Sequence, residues 1–335
     1  MDAPLWTDEY APSLDELPQP DAREYLQKAV DEPMNLLLHG PPGVGKTAAV
    51  RALGRAAHED ENDLVEINVA DFFGRTKTEI KNDPRFESFL VGKSSFSKRD
   101  MINHVLKESA SYAPVTGTYK TVLLDNAEDV RVDFQQALRR VMERFHRTTQ
   151  FVICTRQPTK LIPPIRSRCF QVPMRAATNE ELVGILDRVV EAEGVDYDDD
   201  GLEYVAGYAD GDVREALLAA QTTVSRADEL TMQTAYETLG EVGAADQVGE
   251  MLDDAEAGEF TDARKTLDDL LVDEGYSGSE VLEDVLRVAR KRYDGQRLAR
   301  LHELAGEVDA DMSEGTSDRV HLSRLLAELG RAQVA

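Results

Sequence analysis

The sequence predicts an α/β chain whose first half is a parallel five-stranded sheet covered by helices and whose second half is helical. Three observations carry this. Short apolar runs alternate with helical stretches to about residue 175, the pattern of strands joined by helical crossovers. A glycine-rich stretch over residues 40 to 47 separates one apolar run from a helical one. Beyond Thr178 the strand signals stop, and apolar residues recur at helical spacing.

Five segments read as strands: Asn35 to His39, Asp63 to Val69, Lys120 to Asp125, Gln150 to Cys154, and Cys169 to Val172. Thr178 followed by Glu180 and Glu181 reads as a capped helix start, because a threonine hydroxyl and early carboxylates satisfy the first free N–H groups. Gly194 and residues 196 to 201 break that helix, and two helical segments follow to about Ala227. From Thr231 onward the chain is helical again, with interruptions near Ala257 and Gly258, Gly275 to Gly278, and Asp309 to Ser317. Three domains follow: 1–175, a helical 176–228, and an all-helical 229–335. The stretch from Asp71 to Asp125 carries no strand signal before Lys120.

Composition narrows the function classes. No apolar run approaches the roughly 20 residues of a membrane span, and the first residues lack signal-peptide order, so a cytoplasmic protein without a membrane partner is expected. Cys154 and Cys169 form no C-x-x-C pair, which argues against a disulfide framework or structural zinc. The net charge is −26, spread along the chain, and the 38 basic residues divide into 27 Arg and 11 Lys. That balance suits a surface kept soluble in concentrated salt, a halophilic signature. Any nucleic-acid contact then depends on shape and a few local cations.

Gly40, Pro41, Pro42, Gly43, Val44, Gly45, Lys46 and Thr47 spell G-x-x-x-x-G-K-T between a strand and a helix, the pattern of a phosphate-binding P-loop. Its glycines let backbone N–H groups close around a phosphate at a helix N-terminus. Lys46 is then expected to reach the β- and γ-phosphates of ATP, and Thr47 to hold Mg2+. Asp125, ending the third strand, is the second residue expected at Mg2+.

Longer motifs make the reading more specific. Asp125-Asn-Ala-Glu-Asp-Val130, Phe134-Gln-Gln-Ala-Leu-Arg-Arg-Val-Met-Glu143 and Ile162-Pro-Pro-Ile-Arg-Ser-Arg-Cys169 together resemble the small subunit of replication factor C, the AAA+ clamp loader of archaea and eukaryotes. Gly211-Asp-Val-Arg-Glu-Ala216 resembles the second sensor motif of that family, Ser313 to Leu322 the stretch that opens its last collar helix, and Trp6 to Pro12 the segment beside its adenine pocket. The resemblance implies an AAA+ P-loop ATPase domain, a helical lid and an all-α collar. It also implies a heteropentamer with other replication factor C subunits, acting on a sliding clamp and primer-template DNA. Arg168 becomes an arginine finger for a neighbouring subunit, a device worth roughly 10³ to 10⁵ in rate in comparable systems. Arg214 becomes a lid residue reaching the γ-phosphate. Arg139 and Arg140 take an inter-subunit or DNA-proximal role, and a helix salt bridge to Glu143 explains one of them equally well.

Three departures from the family pattern bear on chemistry. Asn126 stands where the family has the Walker B glutamate, and an amide cannot take a proton from water; general-base help is worth roughly 10² to 10⁴ in rate. Arg156 stands at the usual sensor asparagine, with Thr155 beside it as a substitute. Glu9 and Ala11 replace basic residues of the N-terminal motif. Glu128 is a weaker candidate base. The simplest expectation is ATP binding with impaired hydrolysis. The alternatives are a fully active loader subunit or an AAA+ adaptor outside clamp loading. For DNA, Arg75, Lys77, Lys81 and Arg131 are the candidates, with a solvated surface the plainer explanation.

Overall fold

The computed structural model describes residues 4–69, 75–82, 87–91, 96–242, 245–273, 275–315 and 317–331. The chain forms two compact units, Met1–Met232 and Gln233–Ala335.

The first unit is organised by five parallel strands: β1 (Leu36–His39), β2 (Leu64–Asn68), β3 (Lys120–Asp125), β4 (Thr149–Thr155) and β5 (Phe170–Pro173). Their order is β2-β3-β4-β1-β5. After β1 the chain crosses to the far edge, returns through β3 and β4, and places β5 on the other side of β1. The carboxyl ends of β1 and β4 therefore flank the point where the order reverses, the position at which open parallel sheets bind ligands.

The period-two alternation of strand side chains sorts the core into two layers. Leu37, Val122, Leu124, Phe151 and Ile153 pack on one face with helices α3 (Lys98–Ser111) and α4 (Val132–Phe145). Leu36, Leu38, Leu123, Val152 and Cys154 pack on the other with α1 (Pro20–Asp31) and α2 (Lys46–Ala57). Covering both faces is what makes these strands apolar throughout. Pro173 closes β5 at the sheet edge, where a missing N–H costs no ladder bond.

Helices α5 (Asn179–Glu193), α6 (Asp199–Ala209) and α7 (Val213–Ala227) follow in the same unit. Thr178 caps α5 through a reciprocal bond with Glu181, as its sequence suggests. Strand structure does not end at Thr178, however. Asp196–Tyr197 and Glu229–Leu230 form a short parallel pair, β6 and β7, too brief to leave a periodicity.

The second unit includes α8 (Ala245–Ala257), α9 (Phe260–Asp268), α10 (Gly278–Arg292), α11 (Gly295–Glu314) and α12 (Asp318–Arg331). Val281, Val285 and Ala289 point one stripe of α10 into a core shared with Leu252, Leu267, Leu301 and Leu325. The last interruption is shorter than residues 309 to 317 suggested, since α11 runs through Asp309 to Glu314. Cys154 is buried in β4, Cys169 precedes β5, and both are free. Burial drives the thiol of Cys154 well above its ordinary range and that of Cys169 up to about 12.

Candidate nucleotide site

Residues 40–47 leave β1 and enter α2 through three left-handed or otherwise glycine-favoring positions: φ is 159° at Gly40, 67° at Gly43 and 89° at Gly45. Two of them are also required by space. A Cβ at Gly40 would lie 1.9 Å from the carbonyl oxygen of Met174, and one at Gly43 would lie 1.8 Å from Cγ of Asp212. Gly45 is the N-cap of α2, so the helix starts at Lys46 with its first N–H groups at the loop. Lys46 Nζ donates to the carbonyls of Gly40 at 2.9 Å and Pro41 at 2.5 Å. Burial lowers its ammonium pKa, with Cys154, Asp125 and Glu128 acting in the opposite sense.

Thr47 Oγ1 donates to Asp125 Oδ2 at 2.8 Å, joining the first turn of α2 to the end of β3. Asn126 follows with φ 53°, and its backbone N–H donates to the other Asp125 oxygen at 3.0 Å. The left-handed region suits asparagine better than most non-glycine residues.

Glu128 is nearly buried at 5% exposed. It accepts from Thr155 Oγ1 at 2.9 Å, from the Arg156 backbone N–H at 3.2 Å, and from Arg156 Nε at 2.6 Å. Burial alone would raise its carboxyl pKa, but bonds from Arg156 and Thr155 outweigh it and hold the group below its ordinary value. Thr155 and Arg156 close β4 beside the loop: Thr155 is the register partner of His39, and Gly40 N–H donates to its carbonyl at 3.4 Å. The structure thus gathers Lys46, Thr47, Asp125, Asn126, Thr155 and Arg156 at the carboxyl end of the sheet. It adds Glu128 as the hub of the last two.

Arg214 lies in the first turn of α7 and is exposed. The cap of that helix is Asp212, which accepts from Glu215 N–H at 2.9 Å and lies against Gly43. The start of α7 therefore sits over the loop. The N-terminal segment joins the same helix: Gln221 accepts from Trp6 N–H at 3.1 Å and donates to the Pro4 carbonyl at 2.9 Å.

Arg168 stands apart from these residues. Its guanidinium donates to the Pro164 carbonyl and to Glu143 Oε1, each at 2.6 Å. Arg139 donates to the same Glu143 oxygen at 3.0 Å, the i,i+4 pair that its spacing suggested. Gln135 was not singled out from sequence, although it lies in the quoted 134–143 motif. It is 1% exposed, its amide donates to the carbonyls of Val130 and Lys160, and it accepts from Ile162 N–H at 2.7 Å. It ties the start of α4 to the turn that leads to Arg168.

Arg131 pairs with Asp133 at 3.5 Å, and Arg99 reaches the same carboxylate at 3.3 Å. Lys77 and Lys81 lie on the short helix Lys77–Lys81, which Thr76 caps, with Arg75 just before it. Among the described residues, no helix is long and apolar enough to cross a membrane.

Comparison with known proteins fits this geometry. Residues 36–175 match the model of the ATPase family associated with various cellular activities (AAA), and residues 244–328 match the replication factor C C-terminal domain. The P-loop and the Thr47–Asp125 contact lie inside the first match, the family trait behind nucleotide binding. The fold resembles the Thermotoga maritima RuvB Holliday junction branch migration motor, with TM-score 0.54 at 18% identity over 72% of this chain and 77% of that one. The chain is 31% identical to the replication factor C small subunit of Halobacterium salinarum over 97% of its length and 95% of the relative's. It is 32% identical to the Sulfolobus acidocaldarius protein of that name, and 30% to the Archaeoglobus fulgidus one, again over 97% of this chain and 95% and 97% of theirs. The chain belongs to the replication factor C small-subunit family.

Proposed function

We propose that this chain is an ATP-binding small subunit of a replication factor C clamp loader, cytoplasmic, that holds ATP and Mg2+ at residues 40–47 and turns it over slowly. The observation that carries the reading is the bond between Thr47 and Asp125 at the mouth of a glycine cradle that side chains would fill. Among the described residues, no group of three or more His, Cys, Asp or Glu side chains gathers to bind a metal. A hydroxyl and a carboxylate completed by phosphate oxygens is the donor set that Mg2+ accepts.

Bound Mg2+ would neutralise charge on the phosphates. The rest is done by the chain. Backbone N–H groups at the start of α2 face the β-phosphate, and Lys46 exchanges its two carbonyl partners for phosphate oxygens. Arg214, in the first turn of α7, approaches from the lid, taken as residues 176–228. Asn126 can hydrogen-bond the attacking water without accepting its proton, which removes roughly 10² to 10⁴ in rate. Arg168 serves a neighbouring subunit's site, and the collar, taken as residues 229–335, is supplied chiefly by the helical unit Gln233–Ala335. The partners are the other loader subunits, a sliding clamp and primer-template DNA.

Lys46→Ala tests the reading. It abolishes MgATP binding by the isolated chain while capture with the other loader subunits and the clamp persists. Capture of neither by the wild-type chain would favour an adaptor outside clamp loading.

A further inference from the structure

Helix α2 makes two polar contacts with the sheet, one turn apart. Thr47 donates to Asp125 at the end of β3, and Arg51, four residues on, reaches Glu66 in β2. The second contact is a two-pronged fork: Arg51 Nε donates to Glu66 Oε1 and Nη2 to Oε2, each at 2.9 Å, the geometry that fixes a guanidinium most firmly. Residues i and i+4 share one face of a helix, so this cation lies one turn beyond the hydroxyl expected at Mg2+. In the β2–β3 register Glu66 stands beside Leu123 and Asn68 beside Asp125, and Leu64 and Leu123 pack on the α2 side. Alternation therefore puts Glu66 and Asp125 on that same side, with Cα atoms about 8 Å apart at ordinary strand spacing. Helix and strand are closely appressed, since a Cβ at Gly54 would lie 2.7 Å from Leu64 Cδ2. The bond to Glu66 raises the Arg51 guanidinium pKa, and Asp125 acts on it in the same sense. One cation is thus within electrostatic reach of both carboxylates and bonded to only one.

We infer that Glu66 is a positioning residue that holds Arg51 away from Asp125, keeping that carboxylate for Mg2+ and so setting how much Mg2+ the site needs to bind ATP. This rests on reading residues 40–47 with Asp125 as the MgATP site and adds how its metal side is kept clear. A guanidinium stays charged at every working pH, and one released beside Asp125 competes with a divalent cation for it. Paired with Glu66, its charge is largely cancelled at the metal position. Glutamine at 66 keeps the size but removes the cancelling charge and leaves a single acceptor. The fork is then lost, and Asp125 becomes a partner for Arg51 at the expense of Mg2+.

The test is equilibrium ATP binding by the full chain as Mg2+ is raised, and again in excess chelator, for wild type, Glu66→Gln, Arg51→Ala and the double variant, with the melting temperature of each without nucleotide. Glu66→Gln should raise the Mg2+ concentration for half-maximal binding by roughly 10-fold, the effect of one uncompensated charge at this separation in a partly exposed setting. Arg51→Ala should not raise it. The double variant, which also lacks the released cation, should return to within about threefold of wild type. Binding of chelated ATP should not weaken in Glu66→Gln, because no phosphate contact is lost. An unchanged Mg2+ requirement in Glu66→Gln overturns the inference alone. So does a double variant as impaired as Glu66→Gln, since Glu66 would then act without Arg51. Equal weakening with and without Mg2+, together with a lowered melting temperature, makes the pair merely structural and overturns it too. Failure of the wild-type chain to bind ATP, or binding indifferent to Mg2+, overturns the inference together with the reading beneath it.

Discussion

Arg168 and Glu143 lie 25 positions apart, and one guanidinium nitrogen of Arg168 donates to the Glu143 carboxylate at 2.6 Å within the same chain. Arg139 shares that oxygen and, with Arg168, keeps the Glu143 carboxyl below its ordinary pKa. The side chains are 35% and 40% exposed. A surface pair of this kind is easily exchanged for a stronger partner. The proposed finger role requires Arg168 to leave Glu143, and a pair this exposed allows that exchange.

Arg168→Ala should lower ATP turnover of the assembled loader by roughly 10³-fold or more at the site it serves, with nucleotide binding by this chain unchanged. Glu143→Gln should alter turnover by less than about threefold. Steady-state phosphate release by the reconstituted complex checks both. A wild-type rate for Arg168→Ala removes the finger role.

Gly43→Ala should abolish nucleotide binding. Alanine at φ 67° is strained, and its Cβ would overlap the Asp212 carboxylate that caps α7. Either the loop or the start of α7 must move. Titration with MgATP reads the loss directly, and retained affinity would mean that the loop and α7 do not hold this approach in solution.

Lys120 is 3% exposed, and burial brings its ammonium pKa from 10.5 to about 8, with Asp63 acting in the opposite sense. The unfolded chain keeps that proton up to about pH 10.5, so between about pH 8 and 10.5 the unfolded state binds more protons. This group therefore makes stability rise with pH across that window. Lys120→Met should raise stability at pH 7 by on the order of 1 to 3 kcal/mol, a gain that fades toward pH 10.5. Denaturant unfolding at pH 7 and pH 10 compares them, and an equal gain at both would show that burial of the charge is not the cause.

The sheet was legible because its chemistry is local. Leu36 to Leu38 and Val122 to Leu124 are apolar at every position since both faces are covered, and the loop at residues 40–47 punctuates the sequence by its glycines. The β6 and β7 pair was invisible because two residues make no period. At the site, residue types were readable and partners were not. Nothing local says that Glu128 turns toward Thr155 and Arg156, or that Gln135 fastens the turn before Arg168, since those bonds span 27 or 28 and 25 or 27 positions. The left-handed backbone at Asn126 is a further fact of the fold. It sets a cost on restoring a carboxylate there, because glutamate tolerates that conformation less well than asparagine.

The central claim is that this site holds ATP and does not split it rapidly. It is tested by assembling the loader with this chain intact and the phosphate-loop lysine of every other subunit replaced, loading labelled MgATP, and following its fate with clamp and primer-template DNA present. The account predicts that nucleotide stays bound as ATP for many turnover times of the intact loader, and that Asn126→Glu in the same assembly speeds its conversion to ADP. Release of phosphate by the Asn126 form at the rate of the intact loader would contradict it.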